Sequence, residues 1–274
     1  MLKTLVAGLA LASSWTWIIG MYLPRIMMER HGWAGFLVFA VPNVIGCTAF
    51  GFVLRKPGAA TALRTQIEGE AKWFSSATIA FHVLFAVFLI KSLFGEDGLS
   101  VPPCEAPVAA GAFLGAAFVL SLLPKAVFPW LGALVWVGSI TLFGLRADTP
   151  ITSAAPCDLN ALWSLPLFTA SLLICPYLDL TFHEVRRSAH HAAFGIFGVA
   201  FALMLLLTVV LWMGDGPRLG PWVLGHIVGQ SLFTTSWHLG ALRREEDSIR
   251  AFGWRGLLIP AAVIYGAHTV MTGV

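Results

Sequence analysis

Stretches of about 20 consecutive apolar residues recur along this chain, and they restrict its fold more than any other feature of the sequence. A stretch of that length forms a helix that can cross the roughly 30 Å hydrocarbon core of a bilayer. Helices are expected because lipid cannot hydrogen-bond the open edge of a sheet. The candidate spans are residues 4–24, 33–54, 73–94, 107–123, 126–145, 161–182, 190–213, 221–241 and 255–273. The sequence therefore predicts an all-α polytopic membrane protein with about nine transmembrane helices.

The composition also favours a chain embedded in a lipid bilayer. Of the 274 residues, 58% are hydrophobic and only 11% are charged, against roughly 25% charged residues in a soluble domain. The net charge of +3 is spread over short loops between the spans, so we expect no nucleic-acid binding. The sequence contains no phosphate loop, nucleophile elbow or zinc-binding spacing, and we therefore expect no enzymatic function.

The distribution of Lys and Arg predicts the orientation, because short loops rich in these residues favour the cytoplasm. Twelve of the 17 fall on one side, namely Lys3, Arg55, Lys56, Arg64, Lys72, Lys125, Arg186, Arg187, Arg243, Arg244, Arg250 and Arg255. The other five are Arg25, Arg30, Lys91, Arg146 and Arg218. We therefore predict a protein of the cytoplasmic (inner) membrane, with its N-terminus inside and its C-terminus outside.

Two of the four cysteines fall in outer loops on this topology. Cys104 and Cys157 each follow a proline and precede a span. Disulfides persist on the oxidising face of a membrane, so we predict a bond between them. Two unrelated free thiols are the alternative.

The chain also contains signs of an internal repeat. The segments Gly20-Met21-Tyr22-Leu23-Pro24 and Cys175-Pro176-Tyr177-Leu178-Asp179 are 155 residues apart, counted from Tyr22 to Tyr177. The same offset moves the second span onto the seventh, and a repeat of five helices reverses its orientation on the second pass. We predict a five-plus-four inverted repeat in one membrane domain, with spans one to five in residues 1–146 and spans six to nine in residues 147–274.

The first and sixth spans are interrupted at related places. The first contains Ser13, Ser14, Thr16 and Gly20, and the sixth contains Cys175-Pro176, where proline cannot donate a backbone hydrogen bond. Paired interruptions in two halves indicate a binding site in inverted-repeat transporters, because lipid cannot satisfy the exposed amides and carbonyls. Proline kinks repaired by neighbouring side chains are the alternative.

These segments resemble the LeuT-type fold of the amino acid–polyamine–cation superfamily, and the chain is most similar to a diverged sodium/solute symporter. The resemblance rests on Ser13-Ser14-Trp15-Thr16-Trp17-Ile18-Ile19-Gly20, His31-Gly32-Trp33-Ala34-Gly35-Phe36, Cys175-Pro176-Tyr177 and Thr234-Thr235-Ser236. It implies that broken helices one and six line a solute site, with helices three and eight around them. It also implies that a hydroxyl pair on helix eight joins carbonyls of helix one around sodium.

The expected site residues follow from these segments. For the solute they are Ser14, Trp15, Thr16, Trp17, Gly20, His82, Cys175, Pro176 and Tyr177. Thr234 and Thr235 offer the hard oxygen ligands that a sodium ion prefers, and no other cofactor is expected. Hydroxyls that bond back to their own helix are the alternative for this pair.

Asp179 is the one acidic residue that lies within an apolar span. An intramembrane carboxylate is a candidate for a proton relay, a cation partner or a gate. A salt bridge with an inner-loop arginine, Arg186 or Arg187, is the alternative, and the sequence slightly favours it.

Taken together, these features indicate a secondary transporter in the lipid bilayer that binds a small solute and is coupled to sodium. A solute sensor or accessory subunit of the same fold, without transport, is the first alternative. The second is a haem-binding electron-transfer protein, because His82, His226, His238 and His268 lie in spans. The sequence identifies neither the solute nor a protein partner.

Overall fold

The computed structural model describes residues 1–16, 18–94, 105–145, 155–214, 221–246 and 249–262. These residues form helices and no strands. The α-helices are α1 (Leu2–Trp15), α2 (Ile18–Val53), α3 (Ala59–Gln66), α4 (Glu68–Phe94), α5 (Glu105–Ser121), α6 (Phe128–Gly144), α7 (Leu165–Leu178), α8 (Leu180–Ser188), α9 (Ala192–Gly214), α10 (Pro221–Glu245) and α11 (Ile249–Phe252). Short 3-10 turns, Lys125–Val127 and Leu159–Ser164, precede α6 and α7, and α11 continues into a wider π-helical turn, Gly253–Leu258.

Several of these helices have the length and composition of membrane spans. Within the described residues, four segments are long and apolar enough to cross a bilayer: Ile18–Val53, Lys125–Leu142, Leu159–Leu178 and Ala192–Val209. The apolar helices Leu2–Trp15 and Val108–Ser121 are shorter. The all-helical fold predicted from the sequence is confirmed for the described residues, and the four segments are consistent with a membrane protein. The count of nine spans stays a prediction, and most of the ninth window, 255–273, lies outside the described residues.

The first two predicted spans are divided differently from the expectation. The chain leaves the helix after Trp15, and α2 then runs from Ile18 to Val53 with a sharp kink at Gly32. Gly32 has φ 58° and ψ −148°, a conformation that L side chains rarely adopt. The loop before α7 closes over this kink, where the Asp158 N–H donates to the His31 carbonyl at 3.1 Å. A single glycine therefore replaces the expected loop between the two spans.

The sixth predicted span is also broken, but three residues later than expected. Pro176 lies inside the last turn of α7, and the break falls at Asp179, which has φ −85° and ψ 118°. A helical proline removes its own donor and crowds the preceding turn, yet the helix continues to Leu178. The prediction that the break lies at Cys175-Pro176 is wrong, because the carboxylate of Asp179 starts a new helix.

Helix packing brings the two breaks together. Helix α1 packs against α6 and α9, α2 packs against α7 and α9, and α10 packs against α4, α5 and α6. A buried aromatic cluster fills the centre of this arrangement. The ring of Phe182, in the first turn of α8, contacts the rings of Trp15, Phe50, Phe194 and Phe197. The end of α1 and the start of α8 are therefore neighbours.

Candidate functional site

The end of α1 is the first part of the candidate site. Helix α1 ends at Trp15 because Thr16, with φ −76° and ψ 48°, leaves the helical conformation. The Thr16 N–H and hydroxyl both donate to the Ala12 carbonyl, at 3.0 and 2.6 Å. The last carbonyls of a helix lack helical donors and carry partial negative charge. The break therefore creates a weakly anionic patch inside the protein.

Thr234 of α10 faces this patch. Its hydroxyl donates to the Ser14 carbonyl at 3.1 Å, and the same oxygen lies 3.5 Å from the Ser13 carbonyl. All three residues are buried. Ser13 in turn donates its own hydroxyl to the Gly132 carbonyl of α6 at 2.9 Å. The contact between helix eight of the predicted topology and the carbonyls of helix one is therefore present.

Residues near this contact in the sequence carry buried hydroxyls without a partner. Within the described part of the chain, the hydroxyl oxygens of Ser14, Ser231 and Thr235 have no hydrogen-bond partner. Each of these residues is at most 4% exposed. A helical Ser or Thr can bond back to its own helix, and a buried polar group without a partner is costly.

The residues predicted at the first break lie in the aromatic core. Trp15 is buried, and its indole N–H donates to the Asn43 Oδ1 at 2.8 Å. Its ring centroid is 4.8 Å from that of Phe182. Gly20 is buried in the first turn of α2, where an added Cβ would be 3.4 Å from the Trp15 carbonyl oxygen. Trp17 lies outside the described residues.

The residues predicted at the second break lie in the last turn of α7. Pro176 is buried, whereas Cys175 and Tyr177 are half-buried. The Tyr177 carbonyl accepts a hydrogen bond from the His183 Nε2 at 2.8 Å, across the break. The Tyr177 ring packs against Phe50, with 5.2 Å between ring centroids.

Asp179 lies between the two half-helices and connects three elements. Its Oδ1 accepts hydrogen bonds from the Thr181 N–H and hydroxyl, both at 2.6 Å, and from the Phe182 N–H at 3.4 Å. Its Oδ2 lies 3.6 Å from the His238 Nε2 of α10. The His238 Nδ1 lies 3.0 Å from the Ser75 hydroxyl of α4. Asp179 is thus an N-cap that also faces a histidine.

The salt bridge from Asp179 to Arg186 or Arg187 is not formed. Arg186 donates to the carbonyls of Leu54 and Arg55, and Arg187 pairs with Glu245 at 3.1 Å. Both arginines lie in the last turn of α8, whereas Asp179 precedes its first turn. The helix itself therefore separates the carboxylate from them, and this expectation is wrong.

The other described histidines of the predicted spans, His82 and His226, contact hydroxyls or carbonyls. His82, expected to line the solute site, lies in α4 with its Nδ1 2.7 Å from the Thr78 carbonyl. His226 lies between the hydroxyls of Ser139 and Thr208, and His268 lies outside the described residues. The described residues contain no group of three or more His, Cys, Asp or Glu side chains arranged to hold a metal.

The loop before α7 carries the outer-face predictions. Cys157 is exposed and its thiol is free, while Cys104 lies outside the described residues. The hydrogen bond from the Asn160 N–H is the main reason why the pKa of Asp158 lies below its ordinary value. The hydrogen bond with the His31 side chain lowers this pKa further. His31 Nδ1 lies 2.9 Å from the Asp158 carboxylate. This pairing connects the kink of α2 to the start of α7.

Two buried polar residues were missed by sequence reasoning. Asn43, which holds the Trp15 indole, had a signal, since it is an amide within an otherwise apolar span. Glu184 of α8 is 3% exposed and accepts hydrogen bonds from Arg244 and from the Trp237 indole. It had no such signal, because it precedes the charged pair Arg186 and Arg187 in the sequence.

Comparison with models of protein families, with curated proteins and with solved structures finds no match. The function is therefore argued from the geometry of the site.

Proposed function

We propose that this protein is a secondary transporter with a LeuT-type fold, which binds a small solute at the broken helices and couples its movement to sodium. The observation that carries the proposal is the contact of the Thr234 hydroxyl with the Ser14 carbonyl at the end of α1, 3.1 Å apart. A hydroxyl on one helix and the free carbonyls of a broken helix provide the oxygen ligands that a sodium ion needs.

The packing of the helices supports an inverted repeat. With the offset of 155 residues, the repeat pairs α1 with α7, the first part of α2 with α8, the rest of α2 with α9, and α4 with α10. Helix α1 packs against α9, and the corresponding pair, α7 and α2, also packs together. The repeat relates α2 to α9 and α4 to α10, so each of these two pairs is its own counterpart. Both pairs are in contact as well. This symmetry is what two oppositely oriented halves require.

The proposed cation site consists of the Ser13 and Ser14 carbonyls and the hydroxyls of Thr234, Thr235 and Ser14. Its fit rests on the two hydroxyls, those of Ser14 and Thr235, that are buried without a partner. A sodium ion would supply the positive charge that these oxygens and the C-terminal end of α1 favour. The protein supplies oxygen ligands and excludes water from them.

The proposed solute site adjoins the cation site through Trp15. This residue follows Ser14 directly, and its ring reaches Phe182 in the first turn of α8. The ends of both half-helices lie beside this aromatic cluster, in which Phe50 packs against Tyr177 and Phe182. A small solute with polar groups for the backbone and an apolar or cationic part for the rings suits these groups.

The test is whether sodium stabilises the protein through these hydroxyls. At a sodium concentration one hundred times the dissociation constant, binding adds about 2.7 kcal/mol to the free energy of unfolding. Thr234→Val and Thr235→Val together keep the side-chain shape and delete both oxygens, so the sodium-dependent rise in melting temperature should vanish. Thr141→Val is the control, because Thr141 is on α6 and donates to its own helix at 3.0 Å. Equal melting of the wild type in sodium and potassium would overturn the site.

The proposed topology keeps the N-terminus in the cytoplasm. It is supported by ion pairs of three arginines that the charge count places on the more basic side. Arg64 and Arg187 pair with Glu245, and Arg255 pairs with Glu246, the next residue, so the three arginines lie at one end of the protein. In a variant with Cys104→Ser and Cys157→Ser, which removes the native thiols of the predicted outer loops, Lys56→Cys should be labelled by an impermeant thiol reagent only from the cytoplasmic face. Labelling from the outside would reverse the orientation.

A proton is the second candidate for the coupling ion. It is favoured by the buried Asp179 and His238, whose Oδ2 and Nε2 are 3.6 Å apart beside the break. Solute uptake by proteoliposomes separates the proton from sodium as the coupling ion. If the proton is the coupling ion, Asp179→Asn should abolish transport driven by a proton gradient. The same variant should leave the sodium-dependent melting shift unchanged. Solute binding without any uptake would instead indicate a sensor, and a Soret band in the purified protein would indicate haem.

A further inference from the structure

A cavity of about 420 Å³ lies away from the two breaks, between α1, α6, α8 and α10. Its apolar lining residues include Val6, Pro129 and Trp130. Its charged lining residues are Lys3, Lys125 and Glu184. Polar and apolar groups are thus both present in one cavity. This arrangement suits an amphiphile with a charged head.

The charged part of the cavity carries a surplus of positive charge. Glu184 accepts hydrogen bonds from the Nε and Nη2 of Arg244, both at 3.0 Å, so the negative charge of Glu184 is already balanced. Lys125 adds a second cation 3.5 Å from the same carboxylate. Lys3 is exposed and, within the described residues, has no carboxylate partner. Three cationic side chains and one carboxylate leave two positive charges for an anionic ligand.

The apolar part of the cavity continues onto a face of α6 that is turned away from the protein. Trp130, Leu134 and Val137 lie on one side of this helix, spaced by four and three residues, and are 48%, 69% and 51% exposed. The segment Lys125–Leu142 is apolar enough to cross a membrane, so in a membrane this exposed face would be available to lipid tails. Tryptophan at such a boundary is typical of a membrane–water interface.

From these observations we propose that the cavity binds an anionic phospholipid of the surrounding membrane. Its phosphate lies between Lys3 and Lys125, and its acyl chains follow Trp130, Leu134 and Val137 along α6. Basic side chains next to a membrane surface attract anionic lipid headgroups. A soluble anion would use the two lysines but would leave the exposed apolar face of α6 without a role. The site is separate from the proposed transport site and does not depend on it.

The experiment compares lipids of one chain length on the purified full-length protein in neutral detergent. Phosphatidylglycerol should raise the melting temperature and remain bound in native mass spectrometry, whereas phosphatidylcholine should do neither. Each lysine near a membrane surface contributes a factor of about 5 in affinity. Lys3→Gln with Lys125→Gln should therefore weaken phosphatidylglycerol binding ~30-fold.

Two further variants keep the test decisive. Lys3→Arg with Lys125→Arg retains both charges and should retain binding, while Lys56→Gln removes an exposed lysine outside the cavity and should have no effect. Each shift is measured against the same variant without lipid, which removes any change in basal stability. Equal binding of phosphatidylcholine, or full binding by the double glutamine variant, would overturn the proposal. An equal shift with glycerol phosphate would also overturn it and identify a soluble anion site.

Discussion

Replacing Asp179 in two ways separates its role as a helix cap from its role as a buried charge. Alanine removes the Oδ1 that accepts three hydrogen bonds from Thr181 and Phe182, and it removes the Oδ2 that faces His238. Asparagine keeps an acceptor oxygen and is nearly as good an N-cap as aspartate. It removes the negative charge and replaces the Oδ2 that faces His238 by an amide NH2, but it leaves the cap in place. The cap account therefore predicts a large cost for Asp179→Ala and a small one for Asp179→Asn.

The magnitudes follow from the hydrogen bonds that each change removes. Asp179 is 1% exposed, so water cannot replace the lost acceptor. The two bonds at 2.6 Å are made by a charged group, and a hydrogen bond to a charged group contributes about 1.5–3 kcal/mol. The Thr181 hydroxyl can find another acceptor, whereas the Thr181 N–H cannot. We expect Asp179→Ala to lower the free energy of unfolding by about 3 kcal/mol and Asp179→Asn by about 1 kcal/mol.

The assay is equilibrium unfolding in mixed detergent–SDS micelles, followed by tryptophan fluorescence. His238→Asn provides the second arm of a double-mutant cycle with Asp179→Asn. If the cap dominates, the coupling energy between Asp179 and His238 should be below about 1 kcal/mol. An Asp179→Asn variant as unstable as Asp179→Ala would refute the reasoning, because the charge, and not the cap, would then hold the two half-helices.

Two further predictions test the packing of α6 and the loop over the kink of α2. Gly132→Ala would place a Cβ 2.5 Å from the Phe233 ring, and it should lower the free energy of unfolding by about 1–3 kcal/mol in the same assay. Gly138→Ala is the control on the same helix, because its added Cβ meets nothing within 4 Å, and it should cost little. Equal costs for the two variants would contradict the packing. Because the pKa of Asp158 is lowered in the folded protein, its stabilising effect is present above its unfolded pKa and is lost as the pH falls through its folded pKa. Asp158→Asn should therefore flatten the acid limb of a melting-temperature profile, and an unchanged limb would exclude this contribution from the pairing with His31.

The sequence alone determined the class of fold. Apolar stretches of about 20 residues predict helices because a bilayer leaves the backbone few other ways to satisfy its hydrogen bonds. This signal is local, so it can be read without knowing which helices are neighbours. The contact of Thr234 with the carbonyls near Ser14, at 3.1 Å, was implied only by the resemblance to the LeuT-type fold, since adjacent hydroxyls on one helix do not identify the helix that they face.

Only the tertiary structure decided where the second break falls and what faces it. Proline was the visible interruption in the sixth span, but the carboxylate of Asp179 ends one helix and caps the next. The choice of His238 over Arg186 as its neighbour depends on α10 packing beside α8. His238 in turn meets Ser75, 163 positions away in the chain. Contacts of this kind depend on how whole helices pack, and helix packing is set by shape along their full length, which no short segment of sequence contains.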